Sequence, residues 1–273
     1  MLLDILIISA PGIVLALGAL AAEYAGVMTI FLEGCINLGA FFCFAIAVWS
    51  GNIYFAIICS CAVCMLFVFV VWIFVKKTGA NIFLVGAGIN LFAAGIIPLF
   101  SQLWFGTSGV VAANIIEPSA FFVRNGSTLM SFLLVACFVF IVLQTSWGIS
   151  LRVCGNQKDV LAANTINTAK LQCQSWIIAS AFASFAGAVL TIRLQSFVPN
   201  ISSGKGWIAL AAVFLGRKNV FGVIAASLLF AAAEYAANRM QGLYSLQPSF
   251  MLTIPYFITL ILFIIVPSKK QKE

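Results

Sequence analysis

The chain has 273 residues, of which 63% are apolar and only 8% charged, and its mean hydropathy is +1.15. A soluble domain is about 45–50% apolar and about 25% charged, so an ordinary soluble domain is excluded. The net charge of +7 comes from few charged residues, which excludes a disordered or nucleic-acid-binding chain.

A spanning helix takes about 20 mostly apolar residues, so the chain is predicted to be an all-α polytopic membrane protein of about 8–10 transmembrane helices. Residues 1–273 form one transmembrane domain with no room for a sizeable soluble one. The first apolar run, residues 5–22, follows Asp4 and has no basic lead, so it is expected to be a retained span rather than a cleaved leader. Further runs follow at 34–50, 53–75, 80–100, 128–147, 173–191, 219–238 and 250–267. Two other apolar stretches, 26–33 and 207–216, are too short to cross and are expected as half-helices or re-entrant pieces.

Lys and Arg set the orientation. Lys76, Lys77, Arg152, Lys158, Lys170, Arg217, Lys218, Lys269, Lys270 and Lys272 are assigned to the cytoplasm, and Arg124, Arg193, Lys205 and Arg239 to the outside. This puts the C-terminus in the cytoplasm and, with nine crossings including one near 207–216, the N-terminus outside. Two loops exceed hairpin length: an outer one at 101–127, with Pro118 and scattered Phe, and an inner one at 150–172. Within the inner loop, GNQKDVLAA suggests a turn and then a short amphipathic helix, either a lever or a solvated connector.

The chain contains no His, no serine elbow motif and no carboxylates at catalytic spacing, so an enzyme is not expected. ISSGKGW, around Gly204 and Lys205, lacks the first glycine and the final Ser or Thr of a P-loop. Any nucleotide motor must therefore be a separate polypeptide. Seven of the eight cysteines lie in apolar segments, and Cys59, Cys61 and Cys64 fan around a helix, so no metal site is expected.

Acids inside spans are costly and mark pathways or pairs. Glu33 and Glu234 are the candidates, each with an amide one helical turn later, Asn37 and Asn238. Either acid can equally cap a helix break. Asn90, among Gly86, Gly88 and Gly95, sits where backbones approach closely, for packing or for a passing ligand.

Four segments resemble the permease subunits of ABC importers of the simple-sugar and nucleoside type, which work with a basic-membrane-protein-like or periplasmic-type binding protein. They are AEYAGVMTIFLEGCINLGAFF, with Glu23, Gly26, Val27 and Leu32-Glu33-Gly34; TGANIFLVGAGINLFA, with Ile89-Asn90-Leu91; WGISLRVCGNQKDVLAANTIN; and GKGWIALAAVFLGRKNVFG, similar to the family's Gly-x-Gly-aromatic-Ile-Ala-Leu-Ala-Ala-Val-x-x-Gly-Arg signature. Two departures stand out: Gln157 replaces a frequent proline, and Tyr24 a frequent basic residue that would pair with Glu23.

The resemblance implies an ATP-driven importer in a bacterial cytoplasmic membrane. Leu151, Arg152, Gly155, Asn156, Lys158, Asp159, Ala162 and Ala163 would form the coupling loop that docks on a separate ATPase subunit, which uses the ATP. Glu33, Asn37, Asn90, Glu234 and Asn238 would line or brace the solute path. The other implied partners are a second, related permease, an extracytoplasmic binding lipoprotein and membrane lipid, but no nucleic acid. Nucleoside is the first expected solute, riboflavin the second and simple sugar the third. The rival is a proton- or sodium-driven carrier that uses Glu33 and Glu234 as ion sites.

Overall fold

The computed structural model describes residues 2–112, 122–155, 161 and 166–244. Among them are nine α-helices: α1 (Leu2–Tyr24), α2 (Leu32–Ser50), α3 (Ile53–Thr78), α4 (Ile82–Phe105), α5 (Ser127–Gln144), α6 (Ser146–Cys154), α7 (Thr168–Leu194), α8 (Lys205–Leu215) and α9 (Val220–Tyr244). Seven of these are long and apolar enough to cross a membrane, so the protein is a multi-pass membrane protein. The run at 250–267 lies outside the described residues.

Asparagine caps start three of the helices. Asn52 accepts from the N–H groups of Tyr54 and Phe55, Asn81 from that of Phe83, and Asn167 from that of Lys170. The Asn167 cap starts α7 five residues before the apolar run at 173, and α6 extends to Cys154, so the inner loop is shorter at both ends than 150–172.

At the centre, α1, α2 and α7 are buried, whereas α3, α4 and α5 turn apolar faces outward. The α2–α7 crossing is close because Gly187 has no side chain. A Cβ there would press on the Ile36 carbonyl and stand 2.9 Å from the Ala40 nitrogen. About three turns nearer the start of α7, buried Trp176 packs edge-on to Phe31 at 4.8 Å and to Trp72 at 5.0 Å. Two two-residue strands, β1 (Val111–Ala112) and β2 (Ser196–Phe197), pair antiparallel and tie the start of the 101–127 loop to the chain leaving α7.

The bundle has two recognisable ends. At one, Arg193 donates to the Ile7 carbonyl at 2.7 Å, to Thr128 at 2.9 Å and to Ser127 at 3.4 Å. Ile7 is free to accept because Pro11, four residues on, has no N–H to offer it. At the other, basic end, Lys218 pairs with Glu23 at 3.0 Å. The 16 residues from Ile7 to Glu23 place these ends about 24 Å apart along α1.

Both expected short pieces fall within broken crossings, but only one is helical. Residues 207–215 belong to α8, an 11-residue half-helix that Gly216 caps. Of the stretch 26–33, expected as a half-helix or a re-entrant piece, Leu32 and Glu33 begin α2 and residues 25–31 form a non-helical connection. β-Branched Val27, Thr29 and Ile30 disfavour a helix there, and side chains take over its carbonyls. Cys154 and Gln172 both donate to the Ala25 carbonyl, and Asn90 donates to that of Ile30 at 2.8 Å. Irregular backbone at membrane depth requires such partners.

Candidate functional site

The re-entrant chain 198–204 returns from the end of α7 and delivers the first turn of α8 to Glu33. Oε1 of Glu33 accepts from Gly204 N–H at 2.6 Å and from the Ser202 hydroxyl at 2.5 Å, while Oε2 accepts from Gly206 N–H at 2.8 Å. The first N–H groups of a helix have no intrahelical partner and carry the positive end of its dipole, so a carboxylate is the natural acceptor. Asn37, one turn along α2, grips the same loop: its Oδ1 accepts from Ser202 N–H at 3.1 Å and its Nδ2 donates to the Ser202 hydroxyl at 2.8 Å.

Asn90 of α4 holds the other side of the break. Its Oδ1 accepts from Gly34 N–H at 2.8 Å, a first-turn donor of α2, while its Nδ2 binds the Ile30 carbonyl. Glu33, Asn37 and Asn90 thus meet around two helix starts and are fully engaged with protein groups. α8 is about 16 Å long, so these starts lie near mid-depth, well above the basic end.

Glu234 and Asn238 stand elsewhere. They face a cavity of about 410 Å³ between α1, α7, α8 and α9, together with Ser9, Arg193, Ser203, Lys205 and Ser227. Lys205 donates to Glu234 at 2.7 Å, and both side chains are partly exposed. This corrects the outside position assigned to Lys205: as the first residue of a half-helix it sits at depth, where the Glu234 carboxylate offsets its charge. Ser227 presents a buried hydroxyl without a hydrogen-bond partner to this cavity.

A second cavity, about 620 Å³, opens at the basic end between Glu23, Arg152, Gly155, Arg217 and Lys218. Leu151 is fully buried, and Arg152 reaches back to the Gly148 carbonyl at 3.4 Å. Gly155 packs on α1 so closely that a Cβ would stand 2.7 Å from the Tyr24 carbonyl. Asn156, Lys158, Asp159, Ala162 and Ala163 lie outside the described residues.

Lys205, Ser202 and the Glu23–Lys218 pair were missed as site residues by sequence reasoning. The signals were the unmatched lysine in GKG and the acid at position 23 that lost its expected basic neighbour; Lys218 supplies the missing charge from the α8–α9 turn. Among the described residues, no group of three Cys, Asp or Glu side chains converges as a metal set.

Comparison with known proteins gives a consistent result. The family model described as the permease component of branched-chain amino acid transport systems matches residues 1–267. A provisionally named glucose ABC transporter permease of Haloferax volcanii is 26% identical over 242 residues, covering 83% of this chain and 73% of that one. A guanosine ABC transporter permease of Bacillus subtilis is 26% identical over 282 residues, covering 94% and 88%. The structure of PsaBC from Streptococcus pneumoniae in complex with Fab superposes with a TM-score of 0.55 at 12% identity, over 97% of this chain and 91% of that chain, a likeness of fold.

Proposed function

The chain belongs to the family of permease components of branched-chain amino acid transport systems and is an ABC transporter permease, not itself an enzyme; from that premise we propose that it forms the membrane path of an ATP-driven nucleoside importer. The observation that carries the solute class is the match to a guanosine permease along 94% of this chain. A simple sugar is the second reading, favoured by the Haloferax relative.

The basic end faces the cytoplasm, as the positive-inside rule requires, and the C-terminus lies on that side of a bacterial cytoplasmic membrane. There, Leu151, Arg152, Gly155, Asn156, Lys158, Asp159, Ala162 and Ala163 dock on an ATPase subunit, which binds and hydrolyses the ATP. A second, related permease completes the path, and an extracytoplasmic binding lipoprotein delivers the solute. Glu234 and Asn238 line the route, while Glu33, Asn37 and Asn90 brace it by holding the helix starts on either side of the break.

The mechanism follows from the ties between these parts. Cys154 and Gln172, which flank the inner loop, both bind the Ala25 carbonyl. From Ala25 the connection 25–31 leads to Glu33 and so to the start of α8. The Glu23–Lys218 pair anchors the other end of α8 to the same corner. A push on the loop by the ATPase therefore reaches the middle of the membrane through the chain itself.

The test is uptake into proteoliposomes that hold the chain with its neighbouring permease, ATPase and binding protein, using labelled guanosine, riboflavin and ribose with and without internal ATP. ATP-dependent guanosine uptake that needs the binding protein is the expected result. Uptake of ribose or riboflavin instead would change the solute. Uptake driven by a proton or sodium gradient without ATP would overturn the importer.

A further inference from the structure

α8 has two functional faces. Lys205, Ile208, Ala209 and Ala212 turn to the 410 Å³ cavity. Trp207 and Phe214, two turns apart on another face, are 50% and 42% exposed. Trp207 follows Gly206, whose N–H Glu33 holds, and at 1.5 Å per residue it stands about 14 Å from the turn at Gly216, near mid-depth.

An indole facing lipid at that depth is out of place, because Trp collects at the headgroup interfaces. The neighbouring backbone makes the same point. Asn200 is exposed and adopts left-handed backbone, at φ 56°. Irregular backbone of this kind does not face hydrocarbon; it is covered by protein or lines water.

Asn200 is joined to the Glu33 cradle through its Oδ1, which accepts from Asn37 Nδ2 at 3.4 Å. With its Oδ1 turned to Asn37, the amide presents its Nδ2 on the opposite side. A flat hydrophobic ring and an oriented N–H donor thus flank one mid-depth cradle whose own carboxylate is already filled.

We propose that Trp207 and Asn200 form a ring-recognition station in the translocation path: a flat heteroaromatic ring stacks on the indole while a ring carbonyl accepts from Asn200 Nδ2. The proposal rests on the nucleoside reading above and adds residues that select the base. Base–aromatic stacking tolerates different ring types, so the station favours planar heteroaromatics over a bare sugar.

The test is guanosine uptake by the complete reconstituted importer carrying Trp207→Phe, Trp207→Leu or Asn200→Leu, with assembly of the complex and ATP turnover measured in parallel. W207F is expected to keep most of the uptake. W207L is expected to lose about tenfold in kcat/KM while the complex assembles normally, the factor given by about 1.4 kcal/mol of stacking. N200L is expected to weaken guanosine more than a base lacking a ring carbonyl, such as adenosine.

Wild-type guanosine efficiency in W207L would overturn the station and leave the importer standing. Equal loss in W207F and W207L together with failed assembly would make the Trp207 and Phe214 face a packing face against the second permease, which also overturns the station. A wild-type complex that imports only sugar would sink the nucleoside reading and the station together.

Discussion

Removal of the Glu33 carboxylate is the sharpest test of how the half-helix is held. Glu33→Ala deletes three hydrogen bonds at 2.5, 2.6 and 2.8 Å and leaves two backbone N–H groups of the α8 start without an acceptor. Hydrogen bonds to a charged group contribute about 1.5–3 kcal/mol each, and an anion at a helix start about 0.3–1 kcal/mol more. The cradle is only partly buried, so water takes over some of the lost bonding and about 3 kcal/mol remains. At about 2–4 °C per kcal/mol for large domains, the purified permease should unfold on the order of 10 °C lower. Glu33→Gln keeps one acceptor oxygen but turns an amide N–H₂ toward another donor, so it should fall between the two. The assay is a thermal shift on the detergent-solubilised chain. An E33A variant that melts within about 2 °C of the wild type would refute the bracing argument, since that is less than one hydrogen bond is worth.

The Lys205–Glu234 pair should behave as a coupled unit: Lys205→Met and Glu234→Gln each lower stability, and the double variant recovers part of the sum. With both partners partly exposed, a double-mutant cycle should give about 1 kcal/mol, and a value of zero would remove the pair from the argument. Gly187→Ala should already force α2 and α7 apart, and G187L should abolish folded protein in a detergent size-exclusion profile; a normally eluting G187L would contradict the close crossing. Lys218→Met should leave uptake dependent on ATP but raise the ATP spent per solute, because the inner end of α8 is released from Glu23; an unchanged ratio would remove the pair from the coupling route. Charge reversal at both Lys158 and Asp159 should weaken coupling to the ATPase without unfolding the chain, and unchanged transport-linked ATP turnover would sink that role.

Membrane embedding, the order of the long spans and the basic end are written locally, in apolar runs and in Lys and Arg counts, and the structure places seven of those runs as long helices. The half-helix near 207–216 was also legible, because a short apolar stretch between two basic residues has few other fates. A break near 26–33 was legible because the stretch is too short to cross, but not that 25–31 would be non-helical, nor what would hold that segment. Its carbonyls are satisfied by Asn90, Cys154 and Gln172, which lie far along the chain and leave no local trace.

The same limit separates the two acid and amide pairs, which look alike in sequence. Glu33 and Asn37 close on Ser202, Gly204 and Gly206, more than 160 residues away, whereas Glu234 meets Lys205 across 29 residues and Asn238 faces a cavity. Charge counting alone put Lys205 outside, because a single lysine carries no mark of the carboxylate that will neutralise it. Hydropathy, caps and motifs act over one or two helical turns and so are determined by the sequence itself. Which donor fills which acceptor inside the membrane depends on helices brought together only by packing, and that the tertiary structure alone decided.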